Sequence, residues 1–97
     1  MLTGKQRAYL RGLANDYDAI VHVGKGGISP AMIRQADDAL TARELIKGRV
    51  LETAPLSAKD AAHDMAVAIK AEAVQVIGRT FILYRAREKD PEIKLPK

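Results

Sequence analysis

The chain has 97 residues, of which 47% are hydrophobic, with no cysteine, a formal net charge of +4 and a pI of about 9.6. This length allows one domain with one modest core, and the missing thiols exclude disulfides and thiolate metal sites. With no run of about eighteen apolar residues to span a membrane and no apolar leader core at its start, the chain reads as a cytoplasmic protein whose basic balance favours a polyanionic partner.

The first predicted helix runs from about Gly4 to Asp16, opened by Thr3 and Gln6 in a capping-box pattern. Tyr9, Leu10, Leu13, Ala14 and Tyr17 recur on one face, which predicts the core side of the helix. Arg7 and Arg11 lie one turn apart on the opposite face with Lys5 near them, and no acid on the helix body pairs with them. The charges up to Arg34 are Lys5, Arg7, Arg11, Lys25 and Arg34 against only Asp16 and Asp18. The positive potential is therefore expected to be lopsided.

Ala19 to Val23 reads as the first strand, and Ser29-Pro30 opens a second helix that runs to about Arg43. Between them stands Gly24-Lys25-Gly26-Gly27. Glycine has no Cβ to keep a ligand from the backbone, and the amides and dipole of a helix start favour an anion. Lys25 adds a full charge. The loop lacks the Walker spacing. It also fails the dinucleotide fingerprint, because Ser29 stands where the third glycine belongs. A clamp on a nucleic-acid backbone phosphate remains open.

Leu45 to Leu51 alternates as the second strand, with Ile46, Gly48 and Val50 on one face and Lys47 and Arg49 on the other. Ser57 and Asp60 resemble a second capping box, opening a third helix to about Ala71 with Ala62, Met65, Ala66 and Ile69 turned inward. Ala73 to Ile77 and Thr80 to Arg87 are the third and fourth strands, and Gly78-Arg79 between them is a hairpin signal of the type II′ kind. The order α-β-α-β-α-β-β predicts an α/β domain with a four-stranded mixed sheet. Crossovers through the second and third helices imply parallel pairing, and the closing hairpin is antiparallel.

The string Leu2-Thr3-Gly4-Lys5-Gln6-Arg7-Ala8-Tyr9-Leu10-Arg11 is similar to the opening of the bacterial YhbY proteins, stand-alone members of the CRM-domain family of RNA-binding proteins. The GKGG loop falls where that family carries its GxxG. Glu44-Leu45-Ile46-Lys47 resembles its entry to strand 2, Val74-Gln75-Val76-Ile77-Gly78 and Leu83-Tyr84-Arg85 its closing hairpin, and Ile93-Lys94-Leu95-Pro96 its ending. The resemblance implies a domain over residues 1–87 akin to the C-terminal domain of translation initiation factor three, followed by a polar tail over 88–97. It also implies association with precursors of the large ribosomal subunit, as in ribosome assembly; plant relatives assist intron splicing. Carried over residue by residue, the RNA-binding positions are Gly24, Lys25, Gly26 and Gly27 with the helix-1 cations Lys5, Arg7 and Arg11, and strand 2 adds Lys47 and Arg49 as candidate phosphate contacts. Arg43, Asn15 and Ala19 depart from family patterns that favour histidine, histidine and proline, and these departures spare the loop.

The rival readings are an enzyme, a basic DNA- or chromatin-binding module, and a protein-binding adaptor on the ribosome. For an enzyme, His22 and His63 lack a matching nucleophile or a metal-ligand spacing. For DNA, the GxxG at a helix start fits a flexible backbone phosphate better than a major groove. For an adaptor, Asp37, Asp38, Asp60 and Asp64 offer contacts to basic ribosomal proteins, and a solvated face explains them as well. No cofactor and no metal is implied. Of the aromatics, Tyr9 and Tyr17 fall on the predicted core face, while Phe81 and Tyr84 fall on opposite faces of strand 4, leaving room for one exposed ring. No stacking cluster emerges, so binding through phosphates and RNA shape is expected, with little base reading.

Overall fold

The computed structural model describes residues 2–97. Its elements are α1 (Gly4–Ala14), β1 (Val21–Val23), α2 (Pro30–Arg43), β2 (Leu45–Val50), α3 (Ala58–Ile69), β3 (Glu72–Ile77) and β4 (Thr80–Tyr84). Three helices and a four-stranded mixed sheet stand as the sequence predicts. Both Thr3–Gln6 bonds of the first capping box form. At α3 Ser57 accepts from the Asp60 amide, which is half of the expected box.

The strands lie in the order β1-β2-β4-β3. β1 and β2 pair in parallel through α2, and the β3–β4 hairpin is antiparallel. Parallel pairing through α3 does not occur, because β4 inserts between β2 and β3 and pairs antiparallel with both. The reason is hydrophobicity: Phe81, Ile82, Leu83 and Tyr84 are all buried, and only an inner strand buries both of its faces. β3, with Glu72 and Gln75, takes the edge. Gly78 supplies the positive φ, 58°, at the hairpin turn.

Helices α2 and α3 pack Ala36, Leu40, Ala62 and Met65 against Val21, Val23, Ile46, Phe81 and Leu83 on one face of the sheet. Gly48 belongs to this face, and a Cβ there would overlap the Phe81 ring. The other face carries a second, smaller core of Leu10, Ala14, Leu45, Val74, Ile82 and Tyr84, with Leu2, Ile93 and Leu95 packed against it. Both Phe81 and Tyr84 are therefore internal, and neither ring is free to stack on a base.

Helix α1 is turned differently from the sequence expectation. Its buried line is Leu10 and Ala14, while Tyr9, Leu13 and Tyr17 remain 42%, 36% and 38% exposed. A small sheet face accepts a narrow stripe, and the wider apolar arc of the sequence spills over its rim. The cations move with this rotation. Arg7 comes to the sheet side and Arg11 stays exposed.

The last residues pack on the body. The Gln6 side-chain amide donates to the Pro96 carbonyl at 3.0 Å. Glu44, which ends α2 in the left-handed region at φ 66°, turns its carboxylate inward. There it accepts from the backbone amides of Arg87 at 2.9 Å, Glu92 at 2.7 Å and Ile93 at 2.9 Å. Burial pushes the Glu44 pKa up, but these amides and the Arg87 charge outweigh it and hold the carboxyl below its usual range. Strand β4 stops at Tyr84, short of the expected Arg87. Arg85 donates to Asp37 at 2.6 Å and to the Ile69 carbonyl at 2.7 Å, tying the middle of α2 to the C-terminal end of α3. Asp37 is thus engaged within the fold.

Candidate nucleic-acid interface

The loop after β1 is a four-residue turn closed by its own hydrogen bond, from the Gly27 amide to the Gly24 carbonyl at 2.9 Å. Gly27 requires a positive φ of 70° and lies 3.4 Å, measured from an added Cβ, from the Pro55 ring. Gly24 likewise approaches Leu51, so the base of the turn rests on the segment that follows β2. Its tip is free: Lys25 and Gly26 are exposed. Among the described residues, their amides have no intramolecular partner. Helix α2 begins at Pro30, three residues on from Gly27. Ser29 caps its Met32 amide at 3.1 Å, so the helix start is partly satisfied from within. The exposed amides of the tip, the dipole of a 14-residue helix and the Lys25 ammonium make a site suited to a phosphate oxygen.

The turn stands at the end of the sheet where β1 and β2 finish. On the α1 side of the sheet, the residues leading toward it are Lys47 and Arg49 of β2, with His22 paired beside Arg49 on β1. Helix α1 covers only part of this face. Arg11, near its end, lines an open groove with Lys47, and the Lys47 ammonium reaches the Asn15 carbonyl at 3.5 Å. Arg49 is exposed and sits beside Thr80 in the next row of the sheet.

The structure therefore gathers Arg11, Lys47 and Arg49 on one face that leads to the turn of Gly24, Lys25, Gly26 and Gly27. It separates two predicted members from them. Arg7 is not an unpaired surface cation: its guanidinium donates to the Ala73 carbonyl at 2.7 Å and the Val74 carbonyl at 3.2 Å, at a register irregularity in β3. Lys5 is exposed in the first turn of α1, at the opposite end of that helix from the groove. Two further residues stand at this end of the sheet. His22, between the buried Val21 and Val23, is the outward residue of β1. Arg79 at the hairpin turn is held at the same end of the sheet by the bond from the Val50 amide to its carbonyl, at 2.7 Å, and pairs with Glu52 at 3.4 Å.

The division between Arg7 and Arg11 has a measurable consequence. Arg7→Ala removes a charged donor from two strand carbonyls, worth about 1 kcal/mol, and should lower the thermal midpoint by about 5 °C. Arg11→Ala should leave it within about 2 °C, since exposed charges contribute little. Thermal melts of the two variants check this, and equal midpoints would mean that the Arg7 bonds do not hold β3.

The CRS1/YhbY (CRM) domain model matches residues 2–85 of the chain. The chain belongs to the CRM-domain family. It is similar to the "Probable RNA-binding protein YqeI" of Bacillus subtilis, at 42% identity over 99% of this chain and 100% of the relative. An "RNA-binding protein" of Haemophilus influenzae is 31% identical over 99% of this chain and 96% of its own length. The solution structure of SAV1595 from Staphylococcus aureus, described as a hypothetical protein and candidate RNA binder, superposes with a TM-score of 0.82. It is 48% identical and covers 99% of this chain and 100% of its own. In this CRM domain no described helix is long and apolar enough to cross a membrane.

Proposed function

We propose that this CRM domain is a non-enzymatic RNA-binding protein that grips the RNA backbone at the GKGG turn and along the cationic sheet face beside α1. The observation that carries this reading is the exposed Lys25 turn standing at the end of a face that bears Arg49, Lys47 and Arg11. Relatives named as RNA-binding proteins support RNA as the polyanion. The likeness to the YhbY proteins points further, to precursors of the large ribosomal subunit as the RNA and to subunit assembly in the cytoplasm as the setting. Ribosomal proteins beside that RNA are the natural neighbours of the exposed acids Asp38, Asp60 and Asp64.

In this reading four cations, Lys25, Arg11, Lys47 and Arg49, meet phosphates together. At about 0.7 per contact on single strands, log affinity should fall against log salt with a slope near −3. Titrations of unstructured and of large-subunit RNA across a range of salt test the mechanism, and a slope near zero would overturn it. Crosslinking in cells with sequencing of the attached RNA tests the target. Recovery of messenger or transfer RNA in place of large-subunit RNA would refute the assembly role.

A further inference from the structure

The groove beside α1 holds more than charge. Its volume is about 230 Å³, below the roughly 300–1,000 Å³ of sites for drug-sized ligands and suited to a single ring system. The buried Ile82 and the exposed Ile77 give it an apolar lining, and Asn15, Gln75 and Thr80 line it with polar side chains. Among the described residues, the two side-chain amides and the Thr80 hydroxyl have no hydrogen-bond partner in the fold. Arg11 and Lys47 flank them.

The groove is built by the sheet. Gln75, Ile82 and Lys47 form one row across β3, β4 and β2, and Ile77, Thr80 and Arg49 form the next. The register shift between Ala73 and Gln75 turns two successive residues toward the α1 face. Val74 goes under α1 into the smaller core, and Gln75 emerges in the groove. Irregularities of this kind re-aim a side chain. The Arg7 guanidinium holds the same place from the other side through the Ala73 and Val74 carbonyls. Gln75 is therefore presented from a fixed backbone.

We infer that this groove is a base-reading subsite: it takes one nucleobase of the bound RNA and recognises it by hydrogen bonds to its edge. A side-chain amide offers both an acceptor and donors, the complement of a base edge. The apolar lining takes the face of the ring, and Arg11, Lys47 and Arg49 lie where the flanking phosphates pass. This reading rests on the chain's being an RNA binder. It differs from the sequence expectation of little base reading, which rests on the lack of a stacking aromatic cluster. Here the selectivity comes from hydrogen bonds at a single nucleotide position, above a sequence-tolerant electrostatic grip.

The test uses the full chain and two measurements. In the first, the isotopically labelled protein is titrated separately with the 5′-monophosphates of adenosine, guanosine, cytidine and uridine. The expected result is that one or two of them shift the Gln75 side-chain amide and the Thr80, Ile77 and Ile82 signals, while the others perturb only the Lys25 turn. Identical responses to all four, or shifts confined to the turn, would overturn the subsite while leaving the phosphate grip intact. In the second, equal-length single-stranded RNAs differing at one base are compared. Wild type should prefer one by about fivefold or more. Gln75→Leu should flatten the preference with the salt slope unchanged, and Gln75→Glu, which removes the donors, should reorder it. A preference that survives both substitutions in folded protein would refute the assignment. Absence of any RNA binding by wild type would refute this subsite together with the RNA-binding reading itself.

Discussion

Glu44→Ala is expected to lower the thermal midpoint by about 10 °C or more. The Glu44 carboxylate is wholly buried and accepts from three backbone amides, of Arg87, Glu92 and Ile93. Removing it strands three donors at about 1–3 kcal/mol each. Part of that is recovered when the tail lifts into water, so a loss of about 2–4 kcal/mol is expected. The damage spreads, because Ile93 and Leu95 pack on the smaller core that also seats α1. Amide exchange should show Glu92 and Ile93 losing protection first. Glu44→Gln keeps the shape and one acceptor oxygen and should fall between the two.

The pH dependence has a definite sign. The folded Glu44 pKa lies below its ordinary value of 4.5, so the unfolded chain binds the proton more readily. The stabilisation is complete above pH 4.5 and is lost as pH falls through the lowered folded value. Melts of wild type and Glu44→Gln should therefore differ most near neutral pH and converge in acid. A Glu44→Ala midpoint within about 2 °C of wild type at neutral pH would show that the carboxylate does not hold the tail.

The second large effect is on binding. Lys25→Asp combined with Gly26→Asp should weaken RNA affinity by at least about tenfold, or ~1.4 kcal/mol. The double variant loses one phosphate contact and places two negative charges where a phosphate would sit. The fold should survive: both residues are exposed, and a Cβ at Gly26 meets nothing within 4 Å. Gly27 would be a poor choice for the same test, since its φ of 70° strains any other residue. Fluorescence anisotropy with a labelled RNA, alongside a thermal melt, separates affinity from stability. Unchanged affinity in the folded double variant would remove the turn from the interface.

Much of the fold is legible in the sequence because its signals are local. Thr3 with Gln6, Ser29 with Pro30 and Gly78 at the hairpin act within a few residues, and each forms as read. The GKGG turn is legible for the same reason: glycines between an apolar strand and a capped helix mark a tight turn, and the bond from the Gly27 amide to the Gly24 carbonyl closes one. What failed depended on partners distant in sequence. The apolar arc of α1 holds more hydrophobic residues than its narrow seat accepts, so periodicity placed Tyr9 and Tyr17 inside and Arg7 outside. Arg7 found carbonyls 66 and 67 residues away. Glu44 stands in the sequence only as part of the segment entering strand 2, and nothing near it announces the amides 43 to 49 residues on that it binds.

The sequence by itself determined the element order, the family, the hairpin and the tight glycine turn before α2, because capping, glycine conformation and alternation are set by neighbours along the chain. Only the tertiary structure decided that β4 lies inside the sheet, since the choice of inner strand depends on how much apolar surface each strand can bury against both layers. Only it decided which cations share a face: Arg11, Lys47 and Arg49 come together on the part of the sheet that α1 leaves uncovered, while Arg7 is drawn into the fold. That selection follows from how a short helix seats on a four-stranded sheet, a property of packing area that no local spacing encodes.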